Sequence, residues 1–562
     1  MEKTEQIMPA VYWVADHMVS ALGIGTDENA RRILAQQTGV VAHNDTTICE
    51  TPFMAGQIDW LQIPENKYLT RLERLMFFVI ENIKHQVPAV DFSNRDCGFV
   101  LSTTKGNIDL LAQGGLDNTP VFLSQMAKRI ASACGIAAQP IVISNACISG
   151  ISALIVGTRL IEEKRYKHVL VVGGDLLTRF VVSGFRSFKS VSEKLCRPYD
   201  ASRDGLSMGE ACGAVLLSAD AVLNGSRPVT ILGGSITNDA NHISGPSRTG
   251  DGLHYAIQQA MAEAHIGVSD LSFVSAHGTA TVYNDEMESK ALNLSKLLDI
   301  PINSLKPYLG HTLGACGVIE SILSVWQLRH NTIFGTLGFE TSGVPYALSV
   351  SAEHRQIAHG DCCLKIASGF GGCNAAMILK LGSKQKRTAV LPHAVHSSKH
   401  IVLESTRPFA EFIRDEYRNL NAPNIKFFKM DDQCKLGYVA TEKLLQNVDL
   451  GNDTTRTAII VANRAASLDT DLKHQQLLNA DENVSPAIFV YTLPNIVSGE
   501  ICIRHHIQGE NTFFVQDTPD GFARQYAEMI LRRRIADKVI FGWCETIDGH
   551  YKATFELFTI NR

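Results

Sequence analysis

The 562-residue sequence lacks the charge imbalance and the long apolar runs that mark several large classes of protein. Lysine and arginine number 52 against 57 acidic residues, and the net charge of −5 does not indicate binding to nucleic acid or to an anionic membrane. No apolar run reaches membrane-spanning length, and the N-terminus lacks the basic segment, apolar core and cleavage site of a secretory signal. We therefore expect a cytosolic protein.

Motifs for disulfides, nucleotides and metals are equally scarce. The 13 cysteines are scattered, odd in number and never spaced as CxxC, which favours reduced thiols over a disulfide framework. Neither a GxGxxG motif nor a phosphate loop occurs, and Gly173-Gly174 after an apolar run is weak evidence for a nucleotide site. We predict no metal site, because convergent spacing is missing from the clustered histidines His393, His396, His400, His505 and His506.

Apolar residues are plentiful by comparison. They make up 45% of the sequence, which is enough for large buried sheets, and 562 residues predict two or three domains. The run Val169–Val172 is typical of a strand covered on both faces, whereas Tyr68–Ile83 has the apolar spacing of a helix. Strands that alternate with helices in this way predict an α/β layered fold.

The stretch from residue 139 to 160 turns from strand to helix at Cys147. Ile141–Ile143 predicts a short buried strand, and apolar residues recur at helical spacing from Ile148 onward. Small neighbouring residues leave room for a substrate, and a helix N-terminus favours the nucleophilic thiolate. A buried structural cysteine is the alternative, and this stretch alone leaves both interpretations open.

Four further motifs follow along the chain. PYDASRDGLSMGEACG begins at Pro198, and HGTAT at 277–281 places a histidine just after a short apolar strand. KPYLGH at 306–311 contains a lysine and a second histidine, and GFGGCN at 369–374 is a glycine-dense loop before a strand. Each histidine alone is more often a structural or surface group than a catalytic one.

Taken together in this order and spacing, the motifs resemble the β-ketoacyl-acyl-carrier-protein synthases of the elongating type, over roughly residues 1 to 382. The resemblance implies a thiolase-like layered αβαβα fold of two similar halves, residues 1–220 and 221–382. It also implies a decarboxylative condensation of malonyl-carrier protein with an acyl chain, in fatty acid, polyketide or polyene-type biosynthesis. No cofactor is expected, because phosphopantetheine would arrive on the carrier protein.

The resemblance also assigns roles to individual residues. Cys147 would carry the acyl chain, and His277 and His311 would donate hydrogen bonds to the malonyl thioester oxygen. The backbone N–H groups of Cys147 and Phe370 would form the oxyanion hole. Two supporting roles complete the set: Gly371 would belong to the same loop, and Lys306 would hold the histidines in place through an ion pair with Asp285 or Glu288.

The implied partners are an acyl-carrier protein and a second subunit, in a homodimer or a heteromeric complex. An acidic carrier protein would dock on basic residues near the entrance, and an ordinary solvated surface is an equally good interpretation of the same residues. The residues predicted for docking are Arg71, Arg74, Lys128, Arg129 and Arg203.

Two positions depart from the family pattern. Asn145 and Cys373 stand where elongating synthases commonly have threonine, and both replacements are faintly thiolase-like. A thiolase, however, replaces one histidine with its second catalytic cysteine, whereas this chain has both histidine motifs. The alternatives are a thiolase-type acyltransferase and a non-condensing, chain-length-factor-like partner subunit, although such partners usually lose the cysteine.

The C-terminal part of the sequence is related to the N-terminal part. Residues 383–400 are polar and aperiodic and predict a linker. Residues 458–469 align without a gap on 98–109, 509–523 match the pattern around residues 137–153, and 538–542 match 167–174. Residues 401–562 are therefore predicted to form a degenerate half-unit. Thr518, between Asp517 and Pro519, takes the place of the cysteine, so we expect this domain to be catalytically silent and to serve packing, dimer geometry or pocket shape.

Overall fold

One large mixed sheet dominates the structure, a computed structural model that describes residues 5–117, 119–223, 227–382, 387–390, 395–420, 424–480 and 484–560. The strands are β1 Glu5–Met8, β2 Val11–Ser20, β3 Gly23–Ile24, β4 Val40–His43, β5 Phe53–Gly56, β6 Cys97–Ser102, β7 Ile141–Ile143, β8 His168–Asp175, β9 Met208–Gly209, β10 Ala211–Ser218, β11 Val229–Asn238, β12 Leu271–Ser275, β13 Ile302–Asn303, β14 Thr332–Ile333, β15 Arg355–Gln356, β16 Cys362–Gly369, β17 Cys373–Leu381, β18 Arg387–Val390, β19 Val395–Glu404, β20 Thr457–Asn463, β21 Asn511–Val515, β22 Lys538–Ile547 and β23 His550–Ile560. The helices are α1 Thr26–Leu34, α2 Arg71–Gln86, α3 Leu111–Gly114, α4 Leu123–Ala133, α5 Ser149–Glu162, α6 Arg179–Ser187, α7 Asp251–Ala264, α8 Val282–Leu294, α9 Lys306–Leu309, α10 Cys316–His330, α11 Phe409–Arg418, α12 Asp432–Leu444, α13 Leu468–Asn479, α14 Pro486–Tyr491, α15 Ile496–His505 and α16 Phe522–Arg532. The α/β fold class predicted from the sequence is confirmed.

Apart from the short β3, which pairs with β2, the strands of the large sheet form three five-stranded units with the same strand order and the same strand directions. The units are β7-β6-β8-β10-β2, β13-β12-β16-β17-β11 and β21-β20-β22-β23-β19. Each unit has a one-residue bulge at the corresponding place in its edge pair, at Val14, Leu232 and Ser398 respectively. A bulge is a specific irregularity of pairing, so its recurrence identifies the three units as repeats of one structure.

The first two units pack face to face around two buried helices. Helix α5 is buried along all 14 of its residues and contacts strands of both units, as does α10. The two helices approach closely at Gly150 and Gly317, where a side chain on either glycine would collide with the backbone of the other helix. Helix α2 covers the outer face of the first unit and α7 that of the second, which gives five alternating layers.

The third unit, here called the C-terminal unit (residues 395–560), extends the sheet of the first. Strand β21 pairs antiparallel with β7, so the strand orders of the two units mirror each other across this pair. Ile143 pairs with Ser102 in one unit and Phe514 with Ala462 in the other, which places Thr518 at the position of Cys147. A buried ion pair between Arg159 and Glu510 joins the units behind this strand pair.

The predicted linker is wrong in part. Within residues 383–400 the structure describes two strands, β18 and the first part of β19, whereas 383–386 and 391–394, which include His393, lie outside the described residues. Strand β19 is the edge of the sheet and is largely exposed. An exposed edge strand needs no apolar alternation, so its polar sequence resembled a linker.

Among the helices that the structure describes, none combines the length and the apolar character required to cross a membrane.

Candidate active site

Cys147 lies in the turn that joins β7 to α5. Ala146 has a positive φ of 48°, and a short 3-10 turn over residues 146–148 leads into the helix. The Ser149 hydroxyl accepts from the Asn145 N–H at 2.7 Å and donates to the Ala146 carbonyl at 2.6 Å. The turn is thus fixed in a conformation that a non-glycine residue rarely adopts, and it presents the Cys147 thiol at the base of a pocket.

The thiol and two imidazoles converge in this pocket. The Cys147 sulfur and one ring nitrogen of each of His277 and His311 all lie within 4.8 Å of one another. The two rings are perpendicular, with centroids 5.3 Å apart. The three side chains come from three separate segments of the sequence, as the motifs predicted.

Hydrogen bonds to the far nitrogen of each imidazole determine where its proton lies. The Leu313 N–H donates to Nδ1 of His311 at 3.1 Å, and the Lys306 ammonium donates to Nδ1 of His277 at 3.3 Å. Each Nδ1 is therefore an acceptor, and Nε2 of each neutral ring carries the proton. Both histidines consequently offer an N–H donor from Nε2.

The surroundings keep both rings neutral. Burial, followed by the charge of Lys306, lowers the pKa of His277 well below its usual value and the pKa of His311 to about 3. Neither ring is then a ready source of a proton at neutral pH. The pair is suited to donating hydrogen bonds to an oxygen that gains negative charge.

The expectation of a stabilised thiolate at Cys147 is not met. Burial raises the pKa of this thiol to about 12, and the opposing influence of Lys306 is smaller. The cysteine precedes the first residue of α5 and lies in the 3-10 turn, where the effect of the helix dipole is limited. The thiol is therefore protonated at rest and must lose its proton as it reacts.

The predicted ion pair of Lys306 with Asp285 or Glu288 is wrong. Lys306 pairs with Glu320 of α10 at 2.8 Å, and the same carboxylate binds Lys365 at 2.5 Å. All three charged groups are buried. Two ammonium groups share one carboxylate, so the cluster carries one net positive charge, and its Lys306 lies beside His277. Sequence reasoning missed Glu320 and Lys365, because nothing in the order of residues shows which carboxylate of a helix faces the lysine.

Asp285 and Glu288 instead hold the backbone around His277. Glu288 accepts from the N–H groups of His277 at 2.8 Å and Gly278 at 2.7 Å, and Asp285 accepts from that of Thr279 at 3.1 Å. Burial and the neighbouring Glu288 raise the pKa of Asp285 to about 7. Both carboxylates therefore position His277 through hydrogen bonds to the backbone, and not through the predicted ion pair with Lys306.

The glycine-dense loop is held from both sides. The Gly371 carbonyl accepts from Asn238 at 2.8 Å, and the Phe370 carbonyl accepts from the side-chain amide of Asn495 in the C-terminal unit at 2.8 Å. Gly371 has a φ of 90°, which favours glycine at this turn. The role of the Phe370 and Cys147 N–H groups as an oxyanion hole stays a prediction.

The two departures from the family pattern have structural explanations. The Asn145 amide donates to the Asn511 carbonyl at 2.9 Å and accepts from the Phe513 N–H at 3.2 Å, so it bonds the first unit to β21. Cys373 is buried and donates to the Phe370 carbonyl at 3.3 Å. Burial also raises its pKa well above the usual value, and, unlike Cys147, it is not among the residues that line the pocket.

The cluster of Cys147, His277 and His311 has the spacing of a metal-ligand set within the described part of the chain. The buried ammonium of Lys306, 3.3 Å from His277, disfavours a cation there by charge repulsion. We assign no metal to the cluster.

Most of the residues predicted for carrier docking already have carboxylate partners. Arg71 and Arg74 stack over Trp60 and pair with Glu210 and Glu65 respectively. Lys128 pairs with Asp517 and Arg129 with Glu73. The side chain of Arg203 is only 5% exposed and donates to the carbonyls of Asp200 and Gly343, so it is not a docking residue. For the other four, docking stays a prediction.

Two segments of the chain match known protein families. Residues 94–221 match the description "Beta-ketoacyl synthase, N-terminal domain", and residues 229–340 match "Beta-ketoacyl synthase, C-terminal domain". A 3-oxoacyl-[acyl-carrier-protein] synthase 2 from Rhizobium meliloti is 32% identical over 250 residues, which are 42% of this chain and 59% of that protein. The chain thus spans less than two thirds of this relative. The synthase 2 of Vibrio cholerae is 25% identical over 404 residues, 65% of this chain and 97% of that protein.

Solved structures extend the similarity to the whole chain. The ketosynthase ApeO, solved in complex with its chain length factor ApeC from Xenorhabdus doucetiae, is 26% identical with a TM-score of 0.60, covering 66% of this chain and 98% of that one. The PfaC keto synthase-chain length factor has a TM-score of 0.79 at 15% identity and covers 98% of this chain and 78% of that one. At that identity the likeness shows the fold alone, and its extent includes the C-terminal unit.

Proposed function

Because the chain belongs to the β-ketoacyl synthase family, a family of acyltransferases, we propose that it is a 3-oxoacyl-acyl-carrier-protein synthase. One observation carries the proposal: a cysteine sulfur lies within 4.8 Å of ring nitrogens of two histidines that are both neutral N–H donors. This set can hold an acyl group and can also stabilise an enolate. Either capacity alone would serve a different reaction.

The first step is transfer of an acyl group to Cys147. The sulfur attacks the carbonyl carbon of an acyl-carrier thioester, the new carbon–sulfur bond forms, and the bond to the pantetheine sulfur breaks. Because the Cys147 thiol is protonated at rest, its proton leaves during this step and ends on the departing pantetheine thiol. The backbone N–H groups of Cys147 and Phe370 are the proposed donors to the carbonyl oxygen.

The second step uses the histidines. His277 and His311 donate from Nε2 to the thioester oxygen of malonyl-carrier protein, and the enolate forms as carbon dioxide leaves. The net positive charge of the lysine cluster beside His277 further favours this anion. The enolate carbon attacks the acyl-Cys147 carbonyl, a carbon–carbon bond forms, and the cysteine sulfur leaves and regains a proton.

The two alternative functions fit the site less well. A non-condensing partner subunit has no need for the complete set of Cys147, His277 and His311. A thiolase-type acyltransferase needs a second reactive thiol, and Cys373 is fully buried and is not among the residues that line the pocket with Cys147. The condensing reaction therefore explains the most residues.

The proposed macromolecular partner is an acyl-carrier protein that brings phosphopantetheine with the substrate, and the protein needs no further cofactor. A homodimer is the predicted assembly. The β7 edge of the first unit is covered by β21, so a second copy would have to use another surface. Measurement of the molecular mass in solution distinguishes a dimer from a monomer.

The proposed activity is tested by incubating the purified full chain with acyl-carrier and malonyl-carrier thioesters. We expect a carrier-bound 3-oxoacyl product two carbons longer than the acyl donor, together with release of carbon dioxide. Cys147→Ala should abolish the product. Formation of equal product by folded Cys147→Ala would exclude the proposed mechanism.

A further inference from the structure

In each unit of the sheet, a carboxylate binds the loop that follows the second strand, which is β6, β12 or β20. In the first unit Asp175 accepts from two backbone N–H groups of this loop, at 2.9 and 3.2 Å. Glu288 does the same for the loop that carries His277 in the second unit, and Glu545 does so in the C-terminal unit. The contact therefore recurs with the repeat, and Glu288 shows that it positions a loop of the active site.

The Asp175 carboxylate binds further groups beyond the backbone of this loop. It is fully buried and accepts from the hydroxyls of Thr103 at 2.7 Å and Thr104 at 2.9 Å. Its last partner belongs to the second unit, where the Gly314 N–H donates to Oδ2 of Asp175 at 2.8 Å. All five partner groups are donors, so the carboxylate is an acceptor at both oxygens and joins the first unit to the second.

The Gly314 N–H belongs to the turn that orients the His311 ring. The His311 backbone is anchored elsewhere, because its N–H donates to the Ser207 carbonyl at 2.7 Å and its carbonyl accepts from the Gly209 N–H at 3.0 Å. The ring is held by the Leu313 N–H, which donates to Nδ1. Leu313 has a φ of 53°, a conformation that a non-glycine residue rarely adopts, so the turn needs support from outside.

Gly314 receives this support on both sides. Its N–H is bound by Asp175, and its carbonyl accepts from the Ser102 hydroxyl at 3.3 Å. A Cβ atom on Gly314 would lie 2.8 Å from the carboxylate, so this approach requires glycine. Asp175 is not among the residues that line the pockets beside Cys147, so it acts on the reaction through the groups that it binds.

We propose that Asp175 is a positioning residue for His311: it binds the Gly314 N–H and so holds the turn whose Leu313 N–H keeps the proton of the ring on Nε2. The inference rests on the proposed function, because that Nε2–H group is the proposed donor to the enolate. Without the carboxylate the turn loses the support of its Gly314 N–H. The ring should then adopt both tautomers, and its donor should no longer point steadily at the thioester oxygen.

The first test measures the tautomer of His311 directly. Asp175→Asn keeps the shape of the side chain, removes its charge and places an amide N–H among donors. In full-length protein labelled with nitrogen-15 histidine, the NMR shifts of the two ring nitrogens show which one carries the proton, and His311→Ala identifies the signals. We expect the proton on Nε2 in the wild type and a mixture of tautomers in Asp175→Asn. An unchanged tautomer in folded Asp175→Asn would overturn the inference.

Condensation gives the second readout. In Asp175→Asn the kcat of condensation should fall roughly tenfold to a hundredfold, whereas the KM for malonyl-carrier protein and the rate of acetyl transfer to Cys147 should change less. In the His311→Ala background the same substitution should cause little further loss, because Asp175 acts through His311. Losses that add would indicate a general structural role and would overturn the inference. Absence of product with the wild type would reject the proposed function, and the tautomer measurement would then decide on Asp175.

Glu545→Gln is the matched control. Glu545 occupies in β22 the position that Asp175 occupies in β8, and it accepts from the N–H groups of Arg464 at 2.7 Å and Ala465 at 3.3 Å. Its loop lies in the C-terminal unit and not beside His311, so the tautomer and condensation should stay as in the wild type. If Asp175→Asn does not fold, Asp175→Glu keeps the charge, displaces the carboxylate by one methylene and should give a smaller shift in the same direction. An unchanged tautomer in that folded variant would then overturn the inference.

Discussion

At the Cys147 sulfur, two electrostatic influences act in opposite directions. The charge of Lys306 favours the thiolate, and removal of water disfavours it; the second is larger, and the pKa rises to about 12. The same burial, acting on a base rather than an acid, lowers the pKa values of His277 and His311. One desolvated pocket therefore keeps all three groups neutral until a substrate enters.

The raised thiol pKa predicts a specific pH dependence. Below a pKa of about 12 the thiolate fraction rises about tenfold per pH unit, so alkylation of Cys147 should accelerate continuously from about pH 6 to about pH 9. The rate of modification by iodoacetamide, followed by peptide mass, measures this. A plateau reached near neutral pH would show that the thiol has a much lower pKa than its surroundings suggest.

The histidines are predicted to act on condensation more than on acylation. His311→Ala removes one of two donors to the enolate, so condensation should fall by about 10²–10³-fold, the usual effect of losing such a donor. Acyl transfer to Cys147 should continue. His330→Ala, which changes a histidine stacked on Trp326 outside the pocket, is the control and should leave both steps unchanged. Normal condensation by His311→Ala would remove His311 from the mechanism.

At the scale of elements, the strand-to-turn motifs could be predicted from the sequence, and the contacts between them could not. Apolar β-branched runs predicted strands at Ile141–Ile143 and Val169–Val172, and the structure has β7 and β8 there. Helical spacing predicted a helix at Tyr68–Ile83, where the structure has α2. The predicted ion-pair partner of Lys306 was wrong, because the pairing depends on which face of α10 lies toward the lysine. Phe489 and Asn495 were missed because their approach to Cys147 is created by the docking of the C-terminal unit.

The Asn495 amide is predicted to position the Phe370 loop. Asn495→Ala removes the 2.8 Å hydrogen bond to the Phe370 carbonyl, so amide hydrogens of residues 369–374 should exchange faster. Acetylation of Cys147 should slow several-fold, because the Phe370 N–H in this loop is a proposed donor to the carbonyl oxygen of the acyl group. Asn419→Ala, an exposed position in the same unit, should alter neither. Unchanged exchange in the loop of folded Asn495→Ala would show that the loop does not depend on this contact.

For the molecule as a whole, the repeat in the sequence corresponds to a repeat in the sheet. The C-terminal unit mirrors the first unit across the β7–β21 pair. It contributes Phe489 to the lining of a small pocket beside Cys147, and its Asn495 binds the Phe370 carbonyl. The sequence alignment indicated the similarity of the units but not their mutual orientation. That orientation depends on the pairing of β7 with β21, a tertiary contact between strands that are far apart in sequence. The sequence predicted a role for this unit in packing, dimer geometry or pocket shape, and these contacts favour a role in pocket shape.

Thr518 is predicted to take no part in turnover. It lies at the position of Cys147 within the C-terminal unit, it is exposed, and the neighbouring Asp517 is bound to Lys128 and Ser124. A hydroxyl without an adjacent base is a poor nucleophile. Thr518→Ala should therefore leave the rate of product formation unchanged. Loss of turnover in a folded variant would contradict the assignment of this unit to a supporting role.

The measurement that tests the central claim most directly is a pulse and chase on Cys147. The full chain is first acylated with an acetyl-carrier thioester, freed of donor, and then mixed with malonyl-carrier protein while intact mass is followed. The account predicts that the acetyl group leaves Cys147 only when malonyl-carrier protein is added, and that it reappears in a 3-oxobutanoyl-carrier product. An acyl group that stays on the protein during the chase, or one that is carried by Cys147→Ala equally well, would contradict the account.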